Sequence, residues 1–238
     1  MTAYDPAKLR RSFFVTGTDT GVGKTLTTCA LLHAANNAGL RTAAMKPVAA
    51  GAVPTDEGLR NEDALLLQAT CNEALGYDEV NPFCLPAAVA PHIAAALAGR
   101  RLSVERIAGF CQGVLMRRAN VTLIEGAGGW RVPISERETL ADLAKQLKLP
   151  VLLVVGVRLG CLNHALLTAE AIHRDGLKLA GWIANTLDPD MPEREANIAT
   201  LVRQLPAPLV ATLPWQATPD PAALAAHFAL SLLPGSPA

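Results

Sequence analysis

Gly17-Thr18-Asp19-Thr20-Gly21-Val22-Gly23-Lys24-Thr25 is the stretch on which the reading of this chain turns. It follows the strand-like run Phe13-Phe14-Val15-Thr16 and precedes a strong helix-forming segment, residues 24–37. A glycine-rich turn between a strand and a helix gathers backbone N–H groups and the positive end of the helix dipole at one point, which suits phosphate oxygens. Lys24 adds a point charge there, and the hydroxyl of Thr25 is placed to reach Mg²⁺. The spacing departs from the common phosphate-loop pattern. Gly17 stands six residues before Gly23, and the position usually held by the first glycine is Thr18.

On either side of the loop, short β-branched or apolar runs alternate with Ala/Leu-rich stretches. Strands are expected at residues 12–16, 41–45, 121–125, 151–157, 178–184 and 208–213. Helices are expected at 24–37, 61–70, 104–118, 140–147, 163–174, 192–204 and 221–232. Most of the strand runs are continuously apolar, as strands covered on both faces are. The repetition of strand and helix gives an α/β fold, a P-loop NTPase-type doubly wound parallel sheet with helices on both faces. A single domain over residues 1–238 is expected. Its least regular part, residues 47–91, reads as an excursion over the ligand edge of the sheet.

Composition narrows the function classes. Half of the residues are hydrophobic, 18% are charged and 4% are aromatic, so a large core must be built from Ala, Leu, Val and Ile. Lys and Arg number 21, balanced by 21 Asp and Glu, which leaves no electrostatic footprint for nucleic acid or an anionic membrane. Cys29, Cys71, Cys84, Cys111 and Cys161 form no CxxC pair and argue against a disulfide framework or a zinc knuckle. The polar start of the chain lacks an apolar signal core, and the apolar run 151–157 is far short of a membrane span. A cytoplasmic location is expected.

Carboxylates come next, because a phosphate loop needs help in holding Mg²⁺. Glu125 closes the apolar run Val121-Thr122-Leu123-Ile124 and precedes Gly126-Ala127-Gly128-Gly129. At the C-terminal end of a buried parallel strand it sits on the edge where ligands bind. A second acid comes from Gly58-Leu59-Arg60-Asn61-Glu62-Asp63, where position alone does not choose between Glu62 and Asp63. Thr25, one of these acids and Glu125 supply three oxygens, leaving other positions to phosphate and water. Lys46 follows Ala43-Ala44-Met45 and faces the same cavity as Lys24 if its strand ends on that edge. Two lysines around a γ-phosphate would stabilise the charge on a transferring phosphoryl group. The five histidines show no metal-binding spacing.

These motifs, taken in order, resemble the dethiobiotin synthase family. The resemblance rests on residues 17–25, on Met45-Lys46-Pro47-Val48, on residues 58–63 and on Glu125-Gly126-Ala127-Gly128-Gly129. It continues through residues 155–164, Ala180-Gly181-Trp182-Ile183-Ala184-Asn185 and Leu213-Pro214-Trp215, and so spans nearly the whole chain. It implies a homodimeric, ATP- and Mg²⁺-dependent cyclising ligase that makes the ureido ring of dethiobiotin from 7,8-diaminononanoate and CO2 in biotin biosynthesis. A carbamate would take the γ-phosphoryl group before the ring closes.

By position, the resemblance implies Lys24 and Lys46 as catalytic groups and Thr25, Asp63 and Glu125 as the metal ligands. Gly21, Val22, Gly23, Lys24, Thr25, Leu26, Gly126, Ala127 and Gly128 would line the nucleotide phosphates. Asn185, Thr186, Pro214, Trp215 and Gln216 would hold adenine, and Thr20, Lys46 and Ala50 would face the diamine or carbamate. A turn formed by Gly160, Cys161, Leu162 and Asn163 of one subunit would receive the carboxylate of a substrate bound mainly by the other.

Three positions depart from the family pattern: Gly21 stands where some members have Glu, Ala50 where similar enzymes have Ser, and Thr186 where some have an acid. The alternatives on the same fold are a nucleotide-switch ATPase of the partition or septum-positioning type and a cobyrinate-type amidoligase. The first carries an extra lysine early in its loop, and Thr18-Asp19-Thr20 has none. The second usually continues into a glutaminase domain. A small-molecule kinase would account for the loop alone.

Overall fold

β-Branched and apolar runs pair side by side because their two faces have nowhere to go but under helices. In the computed structural model, which describes residues 9–237, the main strands in chain order are β1 (Leu9–Gly17) and β2 (Thr42–Met45), then β7 (Val121–Glu125), β8 (Val151–Val157), β9 (Leu179–Thr186) and β10 (Leu209–Leu213). These six are parallel, in the spatial order β10-β9-β8-β1-β7-β2. Every residue of β2, β7, β8 and β9 is buried, so both faces of the sheet are covered. The covering helices include α1 (Lys24–Asn37), α5 (Val104–Leu115), α6 (Leu140–Leu147), α7 (Cys161–Arg174) and α8 (Arg194–Gln204). A last pair of strand residues, β11 (Ser236–Pro237), adds antiparallel to the start of β1.

The region 47–91 carries structure of its own that its sequence does not announce. β3 (Val48–Ala50) pairs in parallel with β6 (Phe83–Leu85), and β4 (Val53–Thr55) forms an antiparallel hairpin with β5 (Gly58–Arg60). Between them lie α2 (Glu62–Thr70) and the single turn α3 (Tyr77–Val80), and α4 (Pro91–Leu97) follows. Four-residue elements are set by tertiary contacts more than by propensity, and periodicity does not reveal them.

The expected helices at 24–37 and 140–147 match α1 and α6. The helix expected from residue 163 begins two residues earlier, so the supposed turn at Cys161–Asn163 is the first turn of α7, entered from Gly160 at φ 94°. The helix expected over 221–232 is corrected: α9 (Pro221–Leu224) is one turn, followed by 3₁₀ turns at Ala225–His227 and Leu230–Leu232. The break has a cause, because the N–H of Ala229 leaves the helical pattern to bond the carbonyl of Val210 at 3.1 Å, tying this segment to β10. The five cysteines are free. Among the described residues no helix is long and apolar enough to cross a membrane.

Strand order decides where ligands go. The chain leaves β1 for β2, returns to β7 between them, then continues to β8 on the far side, so connections from the C-terminal ends of β1 and its neighbours diverge. A crevice at that edge is the expected binding place. Register brings two functional residues to the same level: Val15 pairs with Glu125, and Met45 pairs with Ile124, which sets Lys46 beside Glu125.

Trp182 on β9 is fully buried, and its indole N–H has no hydrogen-bond partner. Trp182→Ala should cost about 3–5 kcal/mol in urea unfolding through the cavity it leaves. Trp182→Phe should cost only about 1 kcal/mol, because it also removes the orphaned donor. Equal losses for the two would show that the indole edge, and not ring volume, holds this part of the core.

Candidate active site

The loop after β1 is shaped by two glycines in the left-handed region, Gly21 at φ 73° and Gly23 at φ 81°. Gly23 serves as the N-cap of α1, and a Cβ there would collide with the Asn185 side-chain amide. Only glycine satisfies both the backbone angle and the contact. The amide of Asn185, at the end of β9, donates to the carbonyl of Val22 at 2.9 Å, so β9 braces the loop from behind.

Four ionised groups meet where the loop, β2, β7 and α2 converge. The Lys46 ammonium donates to Glu125 Oε1 at 2.6 Å and to Asp63 Oδ2 at 2.8 Å. The Thr25 hydroxyl donates to the same Glu125 Oε1 at 2.7 Å. Lys24 donates to the main-chain carbonyl of Asp19 at 3.0 Å. Of the two candidate acids, Asp63 is the one paired with Lys46, and both Glu62 and Asp63 line the cleft described below.

Burial sets the electrostatics of this cluster. It opposes charge on Lys46, yet the Glu125 and Asp63 carboxylates outweigh it and hold the ammonium above its usual range. Burial likewise opposes charge on Asp63, but Lys46, Thr25 and Lys24 hold its carboxyl below the usual range. Lys24 has no carboxylate in bonding contact, so burial, with Lys46 as a like-charged neighbour, lowers it to about 8. Glu125, Asp63 and Asp19 offset only part of that.

The residues fit a hard divalent cation that also takes phosphate. Glu125 is wholly buried, and its Oε2 has no hydrogen-bond partner, leaving a carboxylate oxygen available to a ligand. Asp63 is half-exposed, and the Thr25 hydroxyl adjoins Glu125. Among the described residues no three His, Cys, Asp or Glu gather into a metal cluster. Such a site cannot cage a metal by itself. Two carboxylates and a hydroxyl suit Mg²⁺, which keeps water and binds substrate phosphates.

A cleft of about 1110 Å³ opens on Lys24, Thr25, Lys46 and Asp63, while the wholly buried Glu125 lies outside its lining. Of the residues singled out in the sequence, Thr20, Gly21, Gly23, Lys24, Thr25, Leu26, Lys46, Ala50, Asp63, Ala127 and Gly128 line it. Its further wall was missed: Asn61, the stretch Ala88–Pro91, Val132, Pro133, Pro219 and Pro221. Asn61 was detectable as a helix N-cap, whereas the others are small apolar residues with no motif.

The remaining expected residues lie outside this lining. Val22 and Gly126 sit behind the loop and after β7, while Thr186 is buried at the end of β9. Pro214, Trp215 and Gln216 follow β10 at the same sheet edge as Asn185, which pairs with Leu213. Trp215 is half-exposed there, and Gln216 accepts from the N–H of Asp220 at 2.8 Å. Gly160 and Asn163 are exposed and Cys161 is buried, and none of the three lines the cleft. The link from that region to the loop is an ion pair between Arg158 and Asp19 at 3.0 Å, which no motif foretold.

Known proteins resemble the chain along nearly all its length. A family model described as an AAA domain matches residues 11–223. The ATP-dependent dethiobiotin synthetase BioD of Cellvibrio japonicus is 55% identical over 224 residues, covering 94% of this chain and 98% of that protein. The protein of the same name from Pseudomonas paraeruginosa is 58% identical over 219 residues, covering 92% and 96%. Among solved structures, the signal recognition particle 54 kDa protein of Aeropyrum pernix in complex with GDP has a TM-score of 0.56 at 18% identity, over 92% of this chain and 44% of that one. The receptor FtsY of Elizabethkingia anophelis with GDP gives 0.52 at 16%, over 93% of this chain, which spans 61% of that receptor. The MinC:MinD complex of Aquifex aeolicus gives 0.53 at 14%, over 87% and 82%. At such identities the structural likeness shows the P-loop NTPase fold alone.

A charged Lys24 is a cost to the free protein. Its value near 8 in the folded state lies below the 10.5 of an ordinary lysine, so the unfolded chain binds more protons between those limits. Stability from this group therefore rises with pH from about 8 to about 10.5. Lys24→Met should stabilise the ligand-free protein by about 1–3 kcal/mol at pH 7 and remove that rise, as read by urea unfolding across pH. A destabilised variant with an unchanged pH profile would contradict the assignment.

Proposed function

The chain belongs to the ATP-dependent dethiobiotin synthetase family, and from that we infer that it closes the ureido ring of dethiobiotin. It consumes 7,8-diaminononanoate, CO2 and ATP, releases ADP and phosphate, and serves biotin biosynthesis. The observation that carries this reading is the convergence of Lys24, Lys46 and Asp63 on one cleft beside a phosphate loop, with the buried Glu125 bonded to Lys46.

One diamine nitrogen takes up CO2 and loses a proton, giving a carbamate. A carbamate oxygen then forms a bond to the γ-phosphorus as the bond to ADP breaks. The second amine attacks the carbamate carbon, phosphate leaves, and the ring closes with loss of a proton. Every step handles oxygen-borne negative charge, which buried ammonium groups stabilise most where water is excluded. Lys24 and Lys46 orient the carbamate and phosphoryl oxygens, and Thr20 lies beside the diamine or carbamate. The main chain of Gly21–Leu26 and of Gly126–Gly128 cradles the nucleotide phosphates. Thr25, Asp63 and Glu125 would hold Mg²⁺, which would offset the negative charge of the phosphates.

Adenine lies against Asn185, Thr186 and Pro214–Gln216, which share the sheet edge beside the loop. Ala50 provides no hydroxyl to the carbamate, leaving that work to the lysines. The protein acts as one domain, in the cytoplasm, and as a homodimer in which Gly160–Asn163 of one subunit receives the substrate carboxylate of the other. The nucleotide-switch alternative has only fold-level likeness behind it.

ADP release should depend on the diamine in the presence of ATP, Mg²⁺ and bicarbonate, and the product should have the mass of dethiobiotin. Lys46→Ala should lower kcat by about 100-fold or more while leaving KM for ATP within a few-fold. ATP hydrolysis indifferent to the diamine would sink this reading in favour of a switch ATPase or an amidoligase.

A further inference from the structure

Lys46 is held at both of its ends. Its ammonium meets Asp63 and Glu125, and its main chain is gripped by the end of α3. The N–H of Lys46 donates to the carbonyl of Val80 at 2.8 Å, and the Asn81 side-chain amide donates to the carbonyl of Lys46 at 2.6 Å. Oδ1 of Asn81 accepts from the Tyr77 hydroxyl at 3.1 Å, and that hydroxyl accepts from the main-chain N–H of Asn61 at 2.7 Å. Asn61 is the N-cap of α2, its side chain accepting from the N–H of Ala64 at 3.3 Å, and Asp63 is the second residue of that helix.

These bonds close a ring. It runs from the Lys46 ammonium to Asp63, along the first turn of α2 to Asn61, through the Tyr77 hydroxyl to Asn81, and back to the carbonyl of Lys46. We propose that Tyr77 is a positioning residue for the ring-forming reaction: its hydroxyl, acting through Asn61 and Asn81, sets Lys46 and Asp63 at the separation the chemistry needs. The inference rests on the ligase reading given above and adds a role that reading does not contain.

A hydroxyl can donate and accept at once, which is what this joint requires. Asn61 and Asn81 are 8% and 2% exposed, so water does not readily replace a lost partner. Without the hydroxyl, a buried N–H and a buried amide oxygen would both be stranded. The start of α2, with Asp63, would then be free to shift against the end of β2, with Lys46. Displacements of about 1 Å at reacting groups are enough to cost on the order of 100-fold in rate. The ring of Tyr77 is also packed under the Arg60 guanidinium, 4.2 Å from its centroid, and the Cys84 thiol lies 3.4 Å from its hydroxyl. Neither of those contacts belongs to the closed ring.

The experiment is a double-mutant cycle read by diamine-dependent ADP release and by single-turnover product formation. Tyr77→Phe should lower kcat by about 10- to 100-fold and leave KM for ATP within about twofold, because the phosphate loop is untouched. In a Lys46→Met background the same change should cost a clearly smaller fold-loss, since the separation it sets has lost one of its two ends. Cys84→Ala should leave kcat as in the wild type. If Tyr77→Phe folds poorly by thermal melt, Asn81→Ala opens the ring at its other joint and should give the same split and the same non-additivity. An equal fold-loss in both backgrounds would reduce Tyr77 to general support of the fold and overturn the proposal. Wild-type kcat in both Tyr77→Phe and Asn81→Ala would overturn it as well, with an active wild type leaving the ligase reading intact. A wild type that makes no ureido product would overturn both.

Discussion

An ammonium ion buried between two carboxylates governs this active site. Lys46 is 5% exposed and Glu125 is not exposed at all, and an isolated charge in either place would cost several kcal/mol. Each is tolerated because the other is there. Counting Lys24 and Lys46 against Asp63 and Glu125, the ligand-free cluster carries two charges of each sign and is neutral. That balance lets four ionised groups sit at the edge of an apolar sheet with one oxygen, Glu125 Oε2, still unpartnered. The same balance explains the inequality between the lysines: Lys46 takes both carboxylates, and Lys24, left with a carbonyl, is lowered to about 8.

The parallel sheet supplies the geometry that the electrostatics need. Adjacent strands lie about 4.8 Å apart, and the pairing of Met45 with Ile124 carries Lys46 to the level of Glu125. β1, one strand further on, ends in the phosphate loop, so three neighbouring strands deliver a cation, an anion and a phosphate cradle to one edge. The excursion between β2 and β7 then folds over this edge. It brings Asp63 on α2 as the fourth charge, and through Tyr77 and Asn81 it secures the backbone from which Lys46 springs. Phosphoryl transfer to a carbamate makes few covalent demands on a protein and heavy demands on placement. A site built from rigid strand ends and a bonded ring meets those demands.

Much of this was legible in the sequence, for identifiable reasons. The glycine-rich loop, its lysine and the helix behind it form a local pattern, and local patterns survive translation into structure. Glu125 was legible because an acid ending a run such as Val121-Thr122-Leu123-Ile124 is costly to bury unless a cation or ligand meets it. Lys46 was legible for the same reason, although its pairing with both acids was not. Asp63 could be preferred to Glu62 only by family likeness, because neighbouring residues at a helix start have similar spacing signals. The structure adds that Asp63 is the one of the two that pairs with Lys46.

What stayed hidden depends on contacts between residues distant in sequence. The hydroxyl of Tyr77 reaches back to Asn61 and forward to Asn81 from a helix of only four residues. No periodicity marks such a turn, and its partners are ordinary polar residues. The helix expected over 221–232 failed similarly, since the pull of Val210 on Ala229 is invisible to an Ala-rich pattern. The ion pair of Arg158 with Asp19 joins residues in separate loops. In the ligand-free protein the Lys46 ammonium bonds both carboxylates that would otherwise be open to a divalent metal. Titration of Mn²⁺ into nucleotide-free protein, followed by electron paramagnetic resonance, tests this competition most directly. Lys46→Met should bind Mn²⁺ about tenfold or more tightly than the wild type, because a competing charge has gone; equal or weaker binding by the variant would show that Lys46 does not compete with the metal.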